Sequence, residues 1–204
     1  MISKTREIFT TKGIVKGKNT KALEIFCRVC EDFTIFKDMQ PSNFVKEIWC
    51  KYLSAGHNDN SINGKIFEYI LSCVLINNNL LPFYVQAKVA FVPNADYDLL
   101  LYCKEKGPIV LSAKTSLRER YKQADLEAIA LKYVYRKSES YLITIDKKEA
   151  LNIQNKVIDG SVIGINKVIY AMSSLFDDFI DYLKTHNIEK AGVVEIITAG
   201  ITVE

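Results

Sequence analysis

Three short apolar runs follow one another in the middle of the chain, and they limit the possible folds more than any other feature. The first two runs alternate apolar with polar positions, as strands with one buried face do, and the third is almost entirely apolar. Segments with proline, glycine or asparagine separate the runs and are typical of tight turns. The pattern predicts a meander of three strands at Tyr84–Val92, Asp98–Cys103 and Ile109–Ala113.

Helical and strand patterns alternate after this meander. Apolar spacing indicates helices at 120–136, 147–156 and 173–186, and apolar runs indicate strands at 140–145 and 162–170. Before the meander, residues 1–56 and 64–77 have the apolar spacing of helices. This order predicts an α/β fold with a mixed central sheet flanked by helices. We expect a single domain over residues 1–204, with a helical N-terminal part at 1–60.

Composition narrows the class of protein. Of the 204 residues, 49% are hydrophobic and 25% are charged, as in one globular domain with a sizeable core. A formal charge of +3 is too small to indicate a nucleic-acid partner, so any basic surface has to be local. Five cysteines without regular spacing argue against a disulfide framework. No apolar run reaches the roughly 18 residues of a membrane span, and no signal peptide is evident, so we expect a cytoplasmic protein without a membrane partner.

A serine and a lysine stand at the end of the third predicted strand. Alternation along the strand places Ser112 and Lys114 on one face. A lysine that ends an apolar strand is costly unless its ammonium group reaches solvent, a carboxylate or a phosphate. Asp96 and Asp98 stand at the start of the preceding strand, so either carboxylate could face Lys114. A lysine at the sheet rim with no special role is the alternative.

Carboxylates beside a lysine suit the metal-assisted hydrolysis of a phosphodiester. Mg²⁺ prefers oxygen ligands, polarises the phosphate and lowers the pKa of the attacking water. A nearby ammonium group can orient that water or stabilise the developing charge. We therefore interpret Lys114 and the two aspartates as a candidate Mg²⁺ site.

A cluster of charged residues, Arg118, Glu119 and Arg120, follows four positions after the lysine. Two arginines at the predicted start of a helix oppose the helix dipole, so they need another reason to be there. Arginine can bind guanine O6 and N7 in bidentate fashion, and glutamate can accept from cytosine N4. The cluster therefore matches stacked G·C pairs in the major groove of DNA. A solvated helix start is the alternative.

Together these residues resemble the signature of the PD-(D/E)xK nucleases, in a variant where Ser112 replaces the acidic residue two positions before Lys114. In the restriction endonucleases of the EcoRII, PspGI and NgoMIV group, the following helix supplies the missing acid. Glu127 stands thirteen positions after Lys114, which is the spacing of the EcoRII and PspGI members. That group reads CC and GG steps with a cluster similar to the one at 118–120. The resemblance covers about residues 64–145.

The resemblance implies a type II restriction endonuclease with its catalytic core in residues 61–204. Asp98 and Glu127 would hold Mg²⁺, and Lys114, with Ser112 two positions before it, would position the attacking water. The helix residue Glu68 would point towards the metal, with an exposed helix position as an equal alternative. The substrate would be double-stranded DNA with a CCGG- or CCNGG-type site, cut to leave 5′-phosphate and 3′-hydroxyl ends.

The same resemblance implies partners. A palindromic target read by one cluster per half-site implies a twofold homodimer. The N-terminal helices and the last helix are candidates for its interface. A restriction endonuclease is also expected to function alongside a cognate DNA methyltransferase.

The first motif departs from the family pattern. It reads Pro93-Asn94-Ala95-Asp96 rather than an adjacent proline and aspartate, which leaves Asp96 and Asp98 as rivals. We prefer Asp98 because it directly precedes the apolar run. Other acidic residues are interpreted as structural: we expect Asp146 to cap a helix, and Asp177 with its neighbour Asp178 to face solvent on the last helix.

Two rival functions remain. The first is a structure-specific or repair nuclease on the same fold, against which the arginine cluster argues, because such enzymes read shape rather than bases. The second is a non-catalytic DNA-binding protein on that fold. The simultaneous presence of Asp98, Lys114 and Glu127 argues against this second alternative.

Overall fold

The computed structural model describes residues 3–15, 20–56, 59–192 and 197–203 and is built around one six-stranded sheet. The strands are β1 (Phe83–Val89), β2 (Tyr97–Cys103), β3 (Gly107–Lys114), β4 (Glu139–Thr144), β5 (Lys167–Tyr170) and β6 (Ile197–Val203). Their spatial order is β5-β4-β3-β2-β1-β6. Neighbours are antiparallel from β6 to β3 and parallel from β3 to β5. The predicted meander and the mixed central sheet are therefore confirmed.

Helices cover both faces of this sheet. They are α1 (Lys4–Thr11), α2 (Lys21–Val29), α3 (Pro41–Ser54), α4 (Asn60–Asn77), α5 (Arg120–Val134), α6 (Lys147–Ile158) and α7 (Ser174–Lys184), with a short 3-10 turn at Phe33–Phe36. The N-terminal helices and α7 share one hydrophobic core with the sheet, while α5 and α6 pack on the other side. None of the described helices is long and apolar enough to cross a membrane.

Because side chains alternate between the two faces along a strand, the sheet packs against a different set of helices on each face. In β4, Tyr141 and Ile143 point into the core on the side of the N-terminal helices, and Leu142 between them points into the core with α5 and α6. Every residue of β4 is buried, as expected for a strand that has a parallel neighbour on each side and helices on both faces. The rim where β3 and β4 end is therefore held by packing from both directions.

The helix α4 lies deepest among the N-terminal helices. Ile66, Phe67 and Ile70 are fully buried, and the hydroxyl of Tyr52 donates to Oδ1 of the buried Asn63 at 2.6 Å. The helix begins earlier than its apolar spacing predicts, because Asp59 accepts a hydrogen bond from the backbone N–H of Ser61 and caps it. A helix that is apolar on most sides belongs in a core, as α4 does here.

The structure corrects the predicted strands at two places. The strand expected over 162–170 is only the short β5, because Val162 and Ile165 are buried in the α5 and α6 core as irregular backbone. The strand β6 was not predicted, since Gly200 interrupts its apolar run. Gly200 has φ of +150°, and a Cβ there would stand 3.2 Å from the carbonyl oxygen of Val85 on β1.

Asp177 is also corrected. It was expected to face solvent, but its carboxylate accepts hydrogen bonds from the backbone N–H and the hydroxyl of Ser42, both at 2.7 Å. Because the first turn of a helix has N–H groups without partners, Asp177 on α7 acts as a cap for α3. The predicted cap Asp146 is confirmed, since it accepts from the backbone N–H of Glu149 at 2.9 Å.

Candidate active site

The pair formed by Asp98 and Lys114 lies where β2 and β3 separate. Backbone pairing of the two strands reaches Leu99 and Leu111, and beyond it the carboxylate of Asp98 takes the place of a backbone acceptor. Its Oδ2 accepts from the backbone N–H of Ala113 at 2.9 Å and from the ammonium group of Lys114 at 2.7 Å. The two charged side chains are only 12% and 24% exposed, so the ion pair is poorly screened by solvent.

This geometry separates the two aspartates that the sequence left as rivals. Asp98 contacts Lys114, whereas Asp96 precedes β2, is 58% exposed and lies 3.6 Å from the ammonium group of Lys88. Oδ2 of Asp98 accepts both of the hydrogen bonds described above, which leaves Oδ1 for a further ligand. Of the two, Asp98 has the placement that a site centred on Lys114 requires.

Glu127 on α5 lies within electrostatic range of this pair. Its carboxylate accepts from Nε2 of Gln123, one helical turn earlier, at 2.8 Å. Burial raises the pKa of Glu127, while Gln123 and the positive charge of Lys114 lower it and the negative charge of Asp98 raises it. The carboxylate therefore belongs to one electrostatic cluster with the Asp98–Lys114 pair.

Tyr97 fixes the distance between α5 and the strand that bears Asp98. Its hydroxyl donates to the backbone carbonyl of Glu127 at 3.1 Å. Since Tyr97 is the residue directly before Asp98, this one bond ties both carboxylate-bearing segments together. Sequence reasoning did not identify Tyr97, because a tyrosine at a strand start is an ordinary core residue by pattern.

Glu68 on α4 approaches the cluster from the opposite face of the sheet. Its side chain is 14% exposed and accepts from Nζ of Lys65 at 2.7 Å and from Nε2 of Gln86 at 3.1 Å. Burial raises its pKa; Lys65 lowers it, and Asp98 and Lys114 act on it with opposite signs. Glu68 is thus not a solvated helix residue. Gln86, which sequence reasoning missed, has φ of +51° inside β1, a backbone conformation that non-glycine residues rarely adopt.

Ser112 is half-buried and lines a narrow gap between β3 and α5. Val110, Ala124 and Ala128 line the same gap, which has no room for a water molecule. The small residues Ala124 and Ala128 let α5 approach the sheet at this point. Ser112 therefore lies beneath the cluster rather than at its open side.

The segment Arg118–Arg120 lies on the surface just beyond the cluster. All three side chains are exposed, and Glu119 pairs with Lys122 rather than with either arginine. Within the described part of the chain, neither guanidinium group has a carboxylate within ion-pair distance. Arg118 has φ of +34°, and its backbone N–H and that of Leu117 both donate to the carboxylate of Glu149 on α6.

The donor set fits a hard cation. Asp98 and Glu127 offer carboxylate oxygens on one cluster, and Mg²⁺ is commonly held by one or two carboxylates together with water and substrate phosphate. The described residues contain no group of three or more histidine, cysteine or acidic side chains that could hold a metal ion, so a cation here would depend on these two carboxylates together with water and substrate.

Comparison of the chain with protein-family models, with curated proteins and with solved structures found no match. The function is therefore argued from the residues and from their geometry. Asp98 and Lys114 are in direct contact, Glu127 and Glu68 interact with that pair electrostatically, and Arg118 to Arg120 are exposed in the segment that follows Lys114.

Proposed function

We propose that this chain is a Mg²⁺-dependent type II restriction endonuclease built on a PD-(D/E)xK core. It would hydrolyse double-stranded DNA at a short palindromic site that contains CC and GG and leave 5′-phosphate ends. The observation that carries the proposal is the hydrogen-bonded pair of Asp98 and Lys114, which has Glu127 beside it. An antiparallel meander followed by parallel strands supports the same core.

Each charged group of the cluster has a role in this chemistry. Asp98 and Glu127 would hold Mg²⁺, which when bound polarises the scissile phosphate and lowers the pKa of the attacking water. The ammonium group of Lys114 hydrogen-bonds that water and stabilises negative charge near the phosphate. Asp98 keeps Lys114 in place through its Oδ2, and its Oδ1 would be the oxygen that holds the metal.

Sequence recognition is assigned to the exposed segment beyond the lysine. Arg118 and Arg120 donate to guanine O6 and N7, and Glu119 accepts from cytosine N4 when it exchanges Lys122 for DNA. Only the five residues from Thr115 to Glu119 connect β3 to α5, so the segment that would contact the bases lies close in the chain to Lys114, which would act at the phosphate. One chain reads one half-site, so a palindrome requires two chains.

The direct test is digestion of a plasmid of known sequence by the purified protein with Mg²⁺, followed by mapping of the ends. We expect discrete fragments whose 5′-phosphate ends fall at sites that contain CC and GG. Random nicking or cleavage only at branched structures would instead favour the structure-specific nuclease. Binding without any cleavage would favour the non-catalytic alternative.

Substitutions of Lys114 and Glu127 test whether the cluster carries out the chemistry. Lys114→Ala and Glu127→Ala should each lower the cleavage rate by about 100- to 1000-fold, as loss of a preorganised electrostatic group does. Lys137→Ala and Glu105→Ala remove the same charges from exposed positions outside the N-terminal helices and α7 and serve as matched controls. Equal rates for the cluster variants and the controls would contradict the site assignment.

A further inference from the structure

Glu149 lies in the first turn of α6, but its side chain does not make the hydrogen bond that is usual at that position. A glutamate three residues after an N-cap commonly bonds back to the backbone N–H of the capping residue. Here Asp146 caps the helix, but the carboxylate of Glu149 turns away and accepts from the backbone N–H groups of Leu117 and Arg118. These two residues are 32 and 31 positions earlier in the chain.

The two bonds hold the backbone at the point where it enters the Arg118–Arg120 segment. Leu117 is fully buried in the core between α5 and α6, and Arg118 is exposed with φ of +34°. A non-glycine residue with positive φ persists only where its surroundings stabilise it. Glu149 provides that stabilisation with both carboxylate oxygens, and charge-assisted bonds of this kind are the stronger class.

The place of Glu149 in the fold connects this contact to Lys114. Lys114 pairs with Thr144 at the ends of β3 and β4, and α6 begins three residues after Thr144. Glu149 lies on α6, just after the strand that pairs with Lys114, and its carboxylate contacts the segment that follows Lys114 in the chain. Since no ion pair joins Glu149 to either arginine in the described part of the chain, it acts through the backbone and leaves both guanidinium groups available.

We infer that Glu149 is a positioning residue for DNA recognition: it holds the backbone of Leu117 and Arg118 so that Arg118 and Arg120 meet the base edges in one register relative to Lys114. This inference rests on the proposed function and extends it to a residue outside the family pattern. A purely structural tie would change stability alone, whereas a positioning residue changes the choice between correct and incorrect sites.

The activity test uses Glu149→Gln and Glu149→Ala with two DNA duplexes. One duplex carries the site mapped for the wild type, and the other carries that site with one G·C pair changed to A·T. We expect the ratio of kcat/KM between the duplexes to fall about fivefold or more, since loss of one base contact changes the discrimination by at least about that factor. At the correct site KM should rise more than kcat falls. Glu105→Gln, at an exposed position in the turn between β2 and β3, is the control for charge and size.

Amide hydrogen exchange tests the positioning independently of cleavage. The backbone amides of Leu117 and Arg118 should exchange faster in Glu149→Gln than in the wild type, because an amide side chain has one acceptor oxygen instead of two. Unchanged protection at both amides would overturn the inference even if the wild-type protein cleaves DNA. A preserved discrimination ratio in a destabilised Glu149→Ala would overturn it as well. Absence of cleavage by the wild type would overturn the proposed function and the recognition role of Glu149 with it, whereas faster exchange in Glu149→Gln would still show that Glu149 holds this backbone.

Discussion

Asp98 is the residue on which the candidate site depends, because its carboxylate makes two contacts. It completes the hydrogen bonding of β3 after the strand ladder ends and at the same time neutralises a half-buried ammonium group. Removing one partner of such a pair leaves the other charge in a poorly solvated place, which costs more than the pair contributes. Asp98 is therefore constrained by structure as well as by the proposed chemistry.

A comparison of Asp98→Asn with Asp96→Asn tests which aspartate belongs to the site. Asparagine keeps the size of the side chain but removes the charge that holds Lys114 and would hold Mg²⁺. We expect cleavage to fall by about 100- to 1000-fold in Asp98→Asn. The exposed Asp96→Asn should stay within a few-fold of the wild type. A reversed order of the two rates would show that Asp96 is the ligand.

The pKa of Glu127 gives a prediction for the dependence of cleavage on pH. Because burial raises this pKa, the carboxylate becomes protonated, and loses its affinity for a cation, at a higher pH than an ordinary glutamate. Gln123 opposes the shift through its hydrogen bond, so Gln123→Ala should raise the pKa further. The acidic limb of the profile of kcat/KM against pH should move to higher pH in this variant. Asn152→Ala, at an exposed position on α6, is the control, and a limb that stays in place or moves to lower pH in Gln123→Ala would contradict the assigned bond.

Single residues of the site were predictable only where chain spacing carries the information. One strand, its connection and the following helix carry Lys114, the Arg118–Arg120 segment and Glu127. Their spacing along the chain could therefore be compared with a known pattern. Tyr97 and Glu149 act through bonds to backbone atoms about 30 positions away, and local sequence does not encode such partners. Their residue types also fit ordinary core and helix-start positions.

At the scale of elements, α5 determines the geometry of the site. It begins with Arg120, carries Glu127 and is held against the loop before β5 by two features. Asp125 accepts from the backbone N–H groups of Gly164 and Ile165, and Gly164 packs directly on the α5 backbone. A Cβ at Gly164 would stand 2.4 Å from the carbonyl oxygen of Asp125.

Gly164→Ala should therefore displace α5 or unfold it locally. Overpacking of this kind costs about 1–3 kcal/mol, which urea denaturation would measure as a lower free energy of unfolding. Cleavage should fall as well, because Glu127 moves with the helix. Gly64→Ala is an informative control, since nothing lies near its Cβ position on α4 and alanine is about 0.5–1 kcal/mol more favourable than glycine inside a helix. Equal stability of the two variants would contradict the close approach.

Elements with strong periodicity were predicted, and those defined by distant packing were not. The meander and α5, α6 and α7 appear close to their predicted positions because period two or period 3.6 extends over each of them. Val162 and Ile165 suggested a longer β5, but their burial comes from α6 and α5 rather than from strand neighbours. Asp177 acts on a helix that lies 135 residues away in sequence.

At the scale of the whole molecule, the proposed function requires two chains. One Arg118–Arg120 segment covers one half-site, so the active species on a palindrome should be a twofold dimer. We expect sedimentation in the presence of a duplex that carries the site to give twice the chain mass of 23.2 kDa, plus one duplex. A monomer that cuts the two strands in separate binding events would contradict this expectation, and the nicked intermediate would then accumulate.

The pairing of β1 with β6 has a consequence during synthesis of the protein. β1 ends at Val89 and its outer partner begins at Ile197, so a ribosome adding 5–20 residues per second needs roughly 5 to 20 s between the two. For that time the apolar strand β1 has one unpaired edge, which another nascent chain can occupy. The yield of soluble protein should therefore rise when expression is slow and cool, since intermolecular pairing depends on concentration and pairing with β6 does not.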